Sequence, residues 1–394
     1  MSWSKDMIFG AASAAYQVEG AYNSDGRGLS IWDALSDGHV KHGDNGNTAC
    51  DEYHRFRDDI ALMKKLNLQA YRFSVSWPRV IPKEGVVNEK GIRYYQNLVD
   101  EVLAQGMIPM VTLYHWDLPM WMHGKGGWYA DEIADQFASY VEVVVDALSD
   151  RVKYWMTMNE AATFIGAGYV EGVHAPFETV SRDAENYEEK VSVLTKHVLL
   201  AHGRAVQIIR KKAKLQPVIG IAMDGKFFLP DSEEEKDIEH ARQETYTEDV
   251  DCHRINWWLD PICKGTVNPV LQKKISAEEM EVIHQPIDFI GYNCYKANNF
   301  DDDDGRNPSV KPGMPRTAMG WNITPDALYW SVRFLHDRYG LPVLITENGM
   351  ANIDFVMSDG KVHDPQRIEY MKMYLKGLKR AAEEGYPVMG YLYW

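Results

Sequence analysis

The chain has 394 residues, 45% of them hydrophobic, and a formal charge of −15 at pH 7. So acidic a surface repels nucleic-acid phosphates and anionic lipid, which excludes both as expected partners. No apolar stretch reaches the roughly 18 residues of a membrane span, and Met1-Ser2-Trp3-Ser4-Lys5-Asp6 lacks the layout of a secretory signal, so a cytoplasmic location is expected.

Eight apolar, β-branched or aromatic runs follow one another, each ending in polar or glycine-containing turns. The first, Met7–Ala12, leads into Ala15-Tyr16-Gln17-Val18-Glu19-Gly20, which places Gln17 just beyond a strand end. The second, Ala70–Trp77, carries Arg72 inside an apolar run. A cation there is costly unless it meets a buried carboxylate. The third, Ile108–His115, opens into His115-Trp116-Asp117-Leu118-Pro119, and the fourth, Val152–Asn159, delivers Asn159 and Glu160 at its end. Pro217–Met223 is the fifth. Ile287–Asn293 is the sixth, with Tyr295 two residues past it. Pro342–Glu347, the seventh, ends in Thr346-Glu347-Asn348-Gly349, and Val388–Trp394 is the eighth.

Run starts are separated by 38 to 70 residues, room for a crossover helix and a loop each time. The intervening segments have helical periodicity: Tyr53, Phe56, Ile60 and Met63; Phe137, Val141, Val144 and Leu148; Leu328, Val332, Leu335 and Tyr339. Thr324-Pro325 and Asp364-Pro365 each set a capping side chain before proline, as helix starts do. Buried strands alternating with amphipathic helices predict a parallel sheet, and eight such units predict a closed (β/α)8 barrel over residues 1–394. Such barrels carry their chemistry beyond the strand C-termini, where Glu160 and Glu347 fall although they are 187 residues apart.

Two facing carboxylates suit glycosidic bond cleavage: one protonates the leaving oxygen, the other attacks or activates water. The neighbouring amides of Asn159 and Asn348 suit sugar hydroxyls. Glu347 is the expected partner of Arg72, and Tyr295 is in range of the same carboxylate. Trp116, Trp121 and Trp394 offer flat faces for sugar rings. Cys50, Cys252, Cys263 and Cys294 show no Cys-x-x-Cys spacing and read as buried reduced thiols. Asn299–Gly313, with acidic Asp301 to Asp304, reads as a solvated loop because it lacks calcium-loop spacing. No metal or cofactor is implied, since two carboxylates suffice.

Phe9-Gly10-Ala11-Ala12-Ser13, Gly26-Arg27-Gly28-Leu29-Ser30-Ile31-Trp32-Asp33, Tyr71-Arg72-Phe73-Ser74-Val75-Ser76-Trp77-Pro78-Arg79, the His-Trp-Asp-Leu-Pro run and Thr346-Glu347-Asn348-Gly349 together resemble glycoside hydrolase family 1. That family contains retaining β-glucosidases and 6-phospho-β-glucosidases. The resemblance runs to Tyr391-Leu392-Tyr393-Trp394. It implies Glu160 as acid/base and Glu347 as nucleophile, with Gln17, His115, Trp116, Asn159, Asn293 and Trp394 around the sugar and Arg72 and Tyr295 tuning the nucleophile. The implied substrate is a β-linked glucoside or short oligosaccharide, with β-galactosides as an extension. The glucosidase branch is favoured over the phospho branch by Ala15-Tyr16-Gln17-Val18-Glu19-Gly20.

Three departures set further expectations. Ala161 replaces the usual proline after the acid/base, Ala162 replaces a leaving-group contact, and Cys294 stands where Tyr is commoner. A looser leaving-group side is expected. The chain stops at Trp394, so the eighth helix is expected to be absent and the single catalytic domain C-terminally incomplete. Its absence would bare apolar surface for a homo-oligomer. The alternatives are a 6-phospho-β-glucosidase and an impaired barrel that binds sugar or a partner protein.

Overall fold

Short strands sort their side chains by alternation, and here the sorting produces two cores. Residues 3, 6–298, 313 and 315–394 are described by the computed structural model. The predicted loop Asn299–Gly313, its acidic run included, lies outside them except for Gly313.

The strands are β1 (Ile8–Ala12), β2 (Ala70–Ser74), β3 (Ile108–Thr112), β4 (Tyr154–Asn159), β5 (Val218–Met223), β6 (Phe289–Asn293), β7 (Val343–Asn348) and β8 (Val388–Tyr393). Each falls inside its predicted run except β7, which runs one residue further to Asn348. Every strand pairs in parallel with the next, and β8 pairs back onto β1, so the sheet is a closed barrel. Inward-facing Ala70, Met110, Met156, Ala222, Phe289, Leu344 and Leu392 fill its interior. Their neighbours, such as Tyr71, Phe73, Trp155, Ile219 and Ile345, face outward into the larger core beneath the helices. This is the side-chain layering of a (β/α)8 barrel.

The amphipathic stripes fall on helices Glu52–Lys65, Ile133–Leu148 and Ala327–Tyr339. Phe137, Val141, Val144 and Leu148 are all buried against the barrel. The predicted caps need correction. Asp364 does sit before Pro365 at the start of Pro365–Glu383, but its carboxylate bonds Arg367 and it makes no cap hydrogen bond. The other helix starts at Ala327, two residues after Pro325, while Thr324 Oγ1 accepts from the Ala297 amide instead. The thiols also differ from expectation: Cys252 and Cys294 are buried, but Cys50 is exposed and Cys263 half-buried. Among the described residues no helix is long and apolar enough to cross a membrane.

Bulges in β4 and β7 position the site. Between β4 and β5, Met156 pairs with Gly220 and Asn159 with Ala222, so β4 carries one residue more than its partner. Between β6 and β7, Ile345 pairs with Tyr292 and Glu347 with Asn293, which leaves Thr346 as the extra residue. Unbroken alternation from inward Met156 and Leu344 would turn Asn159 and Glu347 outward. One inserted residue reverses the parity, as bulges beside functional sites commonly do.

Candidate active site

Arg72 holds the floor of the site. It sits in β2 between outward Tyr71 and Phe73 and is fully buried. Its Nη1 donates to Glu347 Oε1 at 2.7 Å and to the Thr346 carbonyl at 3.1 Å, and its Nε donates to Thr112 Oγ1 at 2.9 Å. Nη2 donates to Asn159 Oδ1. The Tyr295 hydroxyl donates to the other Glu347 oxygen, Oε2, at 2.8 Å. Both oxygens of a buried carboxylate are thereby satisfied.

Glu160 is reached from β6. Asn293 Nδ2 donates to Glu160 Oε1 at 2.8 Å and to Asn159 Oδ1 at 3.1 Å. Thr346 Oγ1 donates to Asn293 Oδ1 at 2.6 Å, which fixes the orientation of that amide. Glu160 follows β4 with φ of +51°, left-handed for a non-glycine residue, and is the residue preceding the short helix Ala161–Ile165. Such backbone is costly, and it persists where surrounding bonds over-determine it. Here the Glu160 amide donates to Ala222 O, and its carbonyl accepts from the amides of Thr163 and Phe164.

Asn159 Oδ1 takes two donors, so its Nδ2 must be the group facing His115 Nε2 at 3.2 Å. Nε2 therefore accepts, which places the proton of a neutral imidazole on Nδ1. Burial, aided by the Arg72 charge, holds His115 well below its ordinary pKa, in agreement with a neutral ring. His115 stacks on Trp394, ring centroids 5.4 Å apart and planes 14° from parallel. Gly349 makes room for Trp394: a Cβ there would stand 2.3 Å from the Trp394 carbonyl oxygen. Trp116 Nε1 donates to the Asn159 carbonyl at 2.9 Å.

The two carboxyls differ in environment. Burial pushes Glu160 well above the usual carboxylate range. The charges of Asp224 and Glu347 add to the rise, and Asn293 and Arg72 oppose it. Burial also raises Glu347, but Arg72, Tyr295 and Asn293 all pull it back. Arg72 and Tyr295 thus limit a rise that burial imposes on Glu347.

A cavity of about 350 Å³ opens at this end of the barrel, lined by Gln17, His115, Trp116, Glu160, Tyr295, Glu347 and Trp394, with Met319, Trp321, Met350 and Ala351 at its margins. Of the singled-out residues, Arg72, Asn159 and Asn293 lie beneath this lining and organise it. Trp121 is elsewhere: its ring packs edge-on against Trp77 and its Nε1 donates to Ile81 O. Ala162 is fully buried in the outer core, and Thr163 instead lines a larger cavity of about 1140 Å³ that adjoins this one past Glu160. Thr112, Thr346, Trp321 and Asp224 were not singled out from the sequence. Asp224 had a readable signal, being the first residue after β5 at the end of the barrel where the other candidates lie.

A closed parallel barrel with two buried carboxyls in one cavity beyond its strand ends is the architecture of a glycoside hydrolase. The profile of glycosyl hydrolase family 1 matches residues 1–394, and the chain belongs to that family. It is 41% identical to beta-glucosidase A of Thermotoga maritima over 98% of its own length and 87% of the relative's. It is 35% identical to the aryl-phospho-beta-D-glucosidase BglC of Bacillus subtilis, over all of this chain and 87% of that one. Among solved structures, a Thermotoga maritima beta-glucosidase in complex with glucoimidazole superposes with a TM-score of 0.87 at 38% identity, covering 100% of this chain and 89% of the other.

Proposed function

We propose that the chain hydrolyses β-glucosides with retention of configuration, acting as one catalytic barrel. Glu347 is the nucleophile. Its carboxylate attacks the anomeric carbon while Glu160 gives its proton to the departing glycosidic oxygen. This produces a glycosyl-enzyme on Glu347 and a neutral alcohol. In the second step Glu160, now ionised, takes a proton from water as that water attacks the anomeric carbon, and Glu347 leaves as carboxylate.

The observation that carries this reading is the unequal support of the two carboxyls. Glu347 receives a guanidinium and a phenol on its two oxygens. Glu160 receives one neutral amide, beside the negative charges of Asp224 and Glu347. A pair of carboxyls pushed apart in this way divides into base and acid. Gln17, His115, Trp116, Asn159, Asn293 and Trp394 would then hold the sugar. The higher identity to beta-glucosidase A, 41%, than to the aryl-phospho-beta-D-glucosidase, 35%, supports an unphosphorylated glucoside. No metal or cofactor is needed by either step.

The test is release of 4-nitrophenol from 4-nitrophenyl β-glucoside, with Glu347→Gln as control and NMR of the first-formed sugar. The expected result is β-glucose from the unsubstituted chain and none from the control. Equal release from both, or first-formed α-glucose, would overturn the assignment. Preference for the 6-phosphorylated substrate would move the function to the phospho branch.

A further inference from the structure

The segment that carries Gln17 is too short to hold itself. Its helix, Ala15–Val18, has four residues and no side-chain cap, well below the length at which a helix is stable alone. Two ties from β2 and the turn beyond it fix the ends of this segment. At its start the Ala15 amide donates to Ser74 Oγ at 2.8 Å. At its end Arg79, in the short helix Trp77–Val80, donates from Nε to Glu19 Oε2 at 2.8 Å and from Nη2 to the Gly20 carbonyl at 3.1 Å. The Tyr95 hydroxyl donates to Glu19 Oε1 at 2.5 Å, so both carboxylate oxygens are taken.

Glu19 is 3% exposed and Arg79 1%. The guanidinium lies over the Tyr53 ring, 4.4 Å from its centroid, and its Nη1 is buried with no hydrogen-bond partner among the described residues. A buried ion pair adds little net stability, because desolvation offsets the attraction, and an unpartnered buried donor subtracts from it. What the pair does supply is a single geometry. The turn it closes is tight: Gly20 has a φ of +65°, and a Cβ there would stand 2.1 Å from the Thr48 carbonyl oxygen. Gln17, two residues before Glu19, lines the sugar cavity, whereas Glu19 and Arg79 stand behind that lining.

We infer that Arg79 is a positioning residue for sugar binding, which through Glu19 fixes the turn that holds Gln17 at the cavity. The inference rests on the reading of this cavity as a glucoside site with Gln17 among the residues that hold the sugar. One stretch of chain then organises two sides of the site: Arg72 holds the nucleophile Glu347, and Arg79, on the turn after the same strand, holds the segment of the sugar contact.

The experiment is a double-mutant cycle on KM for 4-nitrophenyl β-glucoside, with Gln17→Ala, Arg79→Met and the two together. Losing one sugar hydrogen bond in Gln17→Ala raises KM about 5-fold, and Arg79→Met raises it by a similar factor. The double substitution raises it no further, since both remove the same contact, whereas independent effects would multiply to about 25-fold. Arg79→Lys, which keeps a cation against Glu19, restores most of the loss. Both limbs of the pH profile stay in place, because the charges that chiefly shift Glu160 and Glu347 are others. An unchanged KM in Arg79→Met, or multiplied effects in the double substitution, overturns the inference. If circular dichroism shows Arg79→Met unfolded, Glu19→Gln, which keeps the shape and drops the charge facing the guanidinium, takes its place in the cycle with the same two outcomes. If the unsubstituted chain releases no nitrophenol, the proposed function fails, and the cycle is read instead on D-glucose affinity by calorimetry. Multiplied effects there, or no glucose binding at all, overturn the inference as well.

Discussion

Thr346 Oγ1 donates to Asn293 Oδ1 at 2.6 Å, and Thr346 is the extra residue of the β7 bulge that also turns its neighbour Glu347 inward. Both Thr346 and Glu347 consequently face the barrel mouth. Asn293, its amide oriented by Thr346, then presents Nδ2 to Glu160 and to Asn159 together. Thr346→Val keeps the shape and removes the donor. A buried oxygen left unpaired costs about 1–3 kcal/mol, so a lowered urea midpoint is expected, with a reduced kcat as the Asn293 amide loses its orientation. An unchanged midpoint and kcat would show that Asn293 is held by its other bonds alone.

The pH–rate profile should be a bell displaced upward from that of two ordinary carboxyls. Turnover needs Glu347 ionised and Glu160 protonated. Burial raises Glu347, so the acidic limb of kcat/KM lies above the usual carboxylate value; Glu160 is raised well above it, so the alkaline limb lies higher still. Asp224 is the largest charge raising Glu160, and Asp224→Asn should move the alkaline limb down. Stopped assays across pH 4 to 10 would read this directly, and a limb that stays in place would remove Asp224 from the control of Glu160.

Arg72→Met leaves Glu347 buried without its cation. Breaking one side of a buried ion pair costs about 3–5 kcal/mol, and three further Arg72 hydrogen bonds, to Thr112, the Thr346 carbonyl and Asn159, disappear with it. A lower melting temperature is expected. Glu347 should also rise further, carrying the acidic limb with it. An acidic limb unmoved by the substitution would contradict the role given to this pair.

Away from the site, Glu52 is 4% exposed between Tyr71 and Tyr94, and burial raises its carboxyl to about 7 against the hydrogen bonds those phenols donate. The folded chain thus holds the Glu52 proton more tightly than the unfolded chain does. The stabilisation is full below the ordinary value of about 4.5 and is lost as pH rises through about 7, about 3 kcal/mol in all. Glu52→Gln mimics the protonated form. Its melting temperature should match the unsubstituted chain near pH 4 and exceed it at pH 8. Parallel melting curves across that range would refute the assignment.

Local pattern was enough to locate the framework. The β-branched and aromatic runs marked all eight strands to within three residues, because a strand buried on both faces needs an unbroken apolar stretch wherever it pairs. The polar groups just beyond those runs, Gln17, His115, Glu160, Tyr295 and Glu347 among them, could be singled out for the same reason: a barrel gathers strand ends that are distant in sequence. Arg72 was legible as a cation that needs a buried partner.

What pattern could not supply depends on pairing. Period-two alternation assigns Asn159 and Glu347 to the outer face, and only the register of β4 against β5 and of β7 against β6 shows the extra residue that turns them inward. The same holds for burial. Ala162 and Thr163 are consecutive, yet the packing of helix Ala161–Ile165 sends one into the core and the other to the wall of the larger cavity. Residue types and their order determined that two carboxylates, an arginine and several amides would meet at one barrel end. Tertiary structure decided which atoms face which, because bulges, amide orientation and desolvation belong to contacts between segments and have no signature within any one of them.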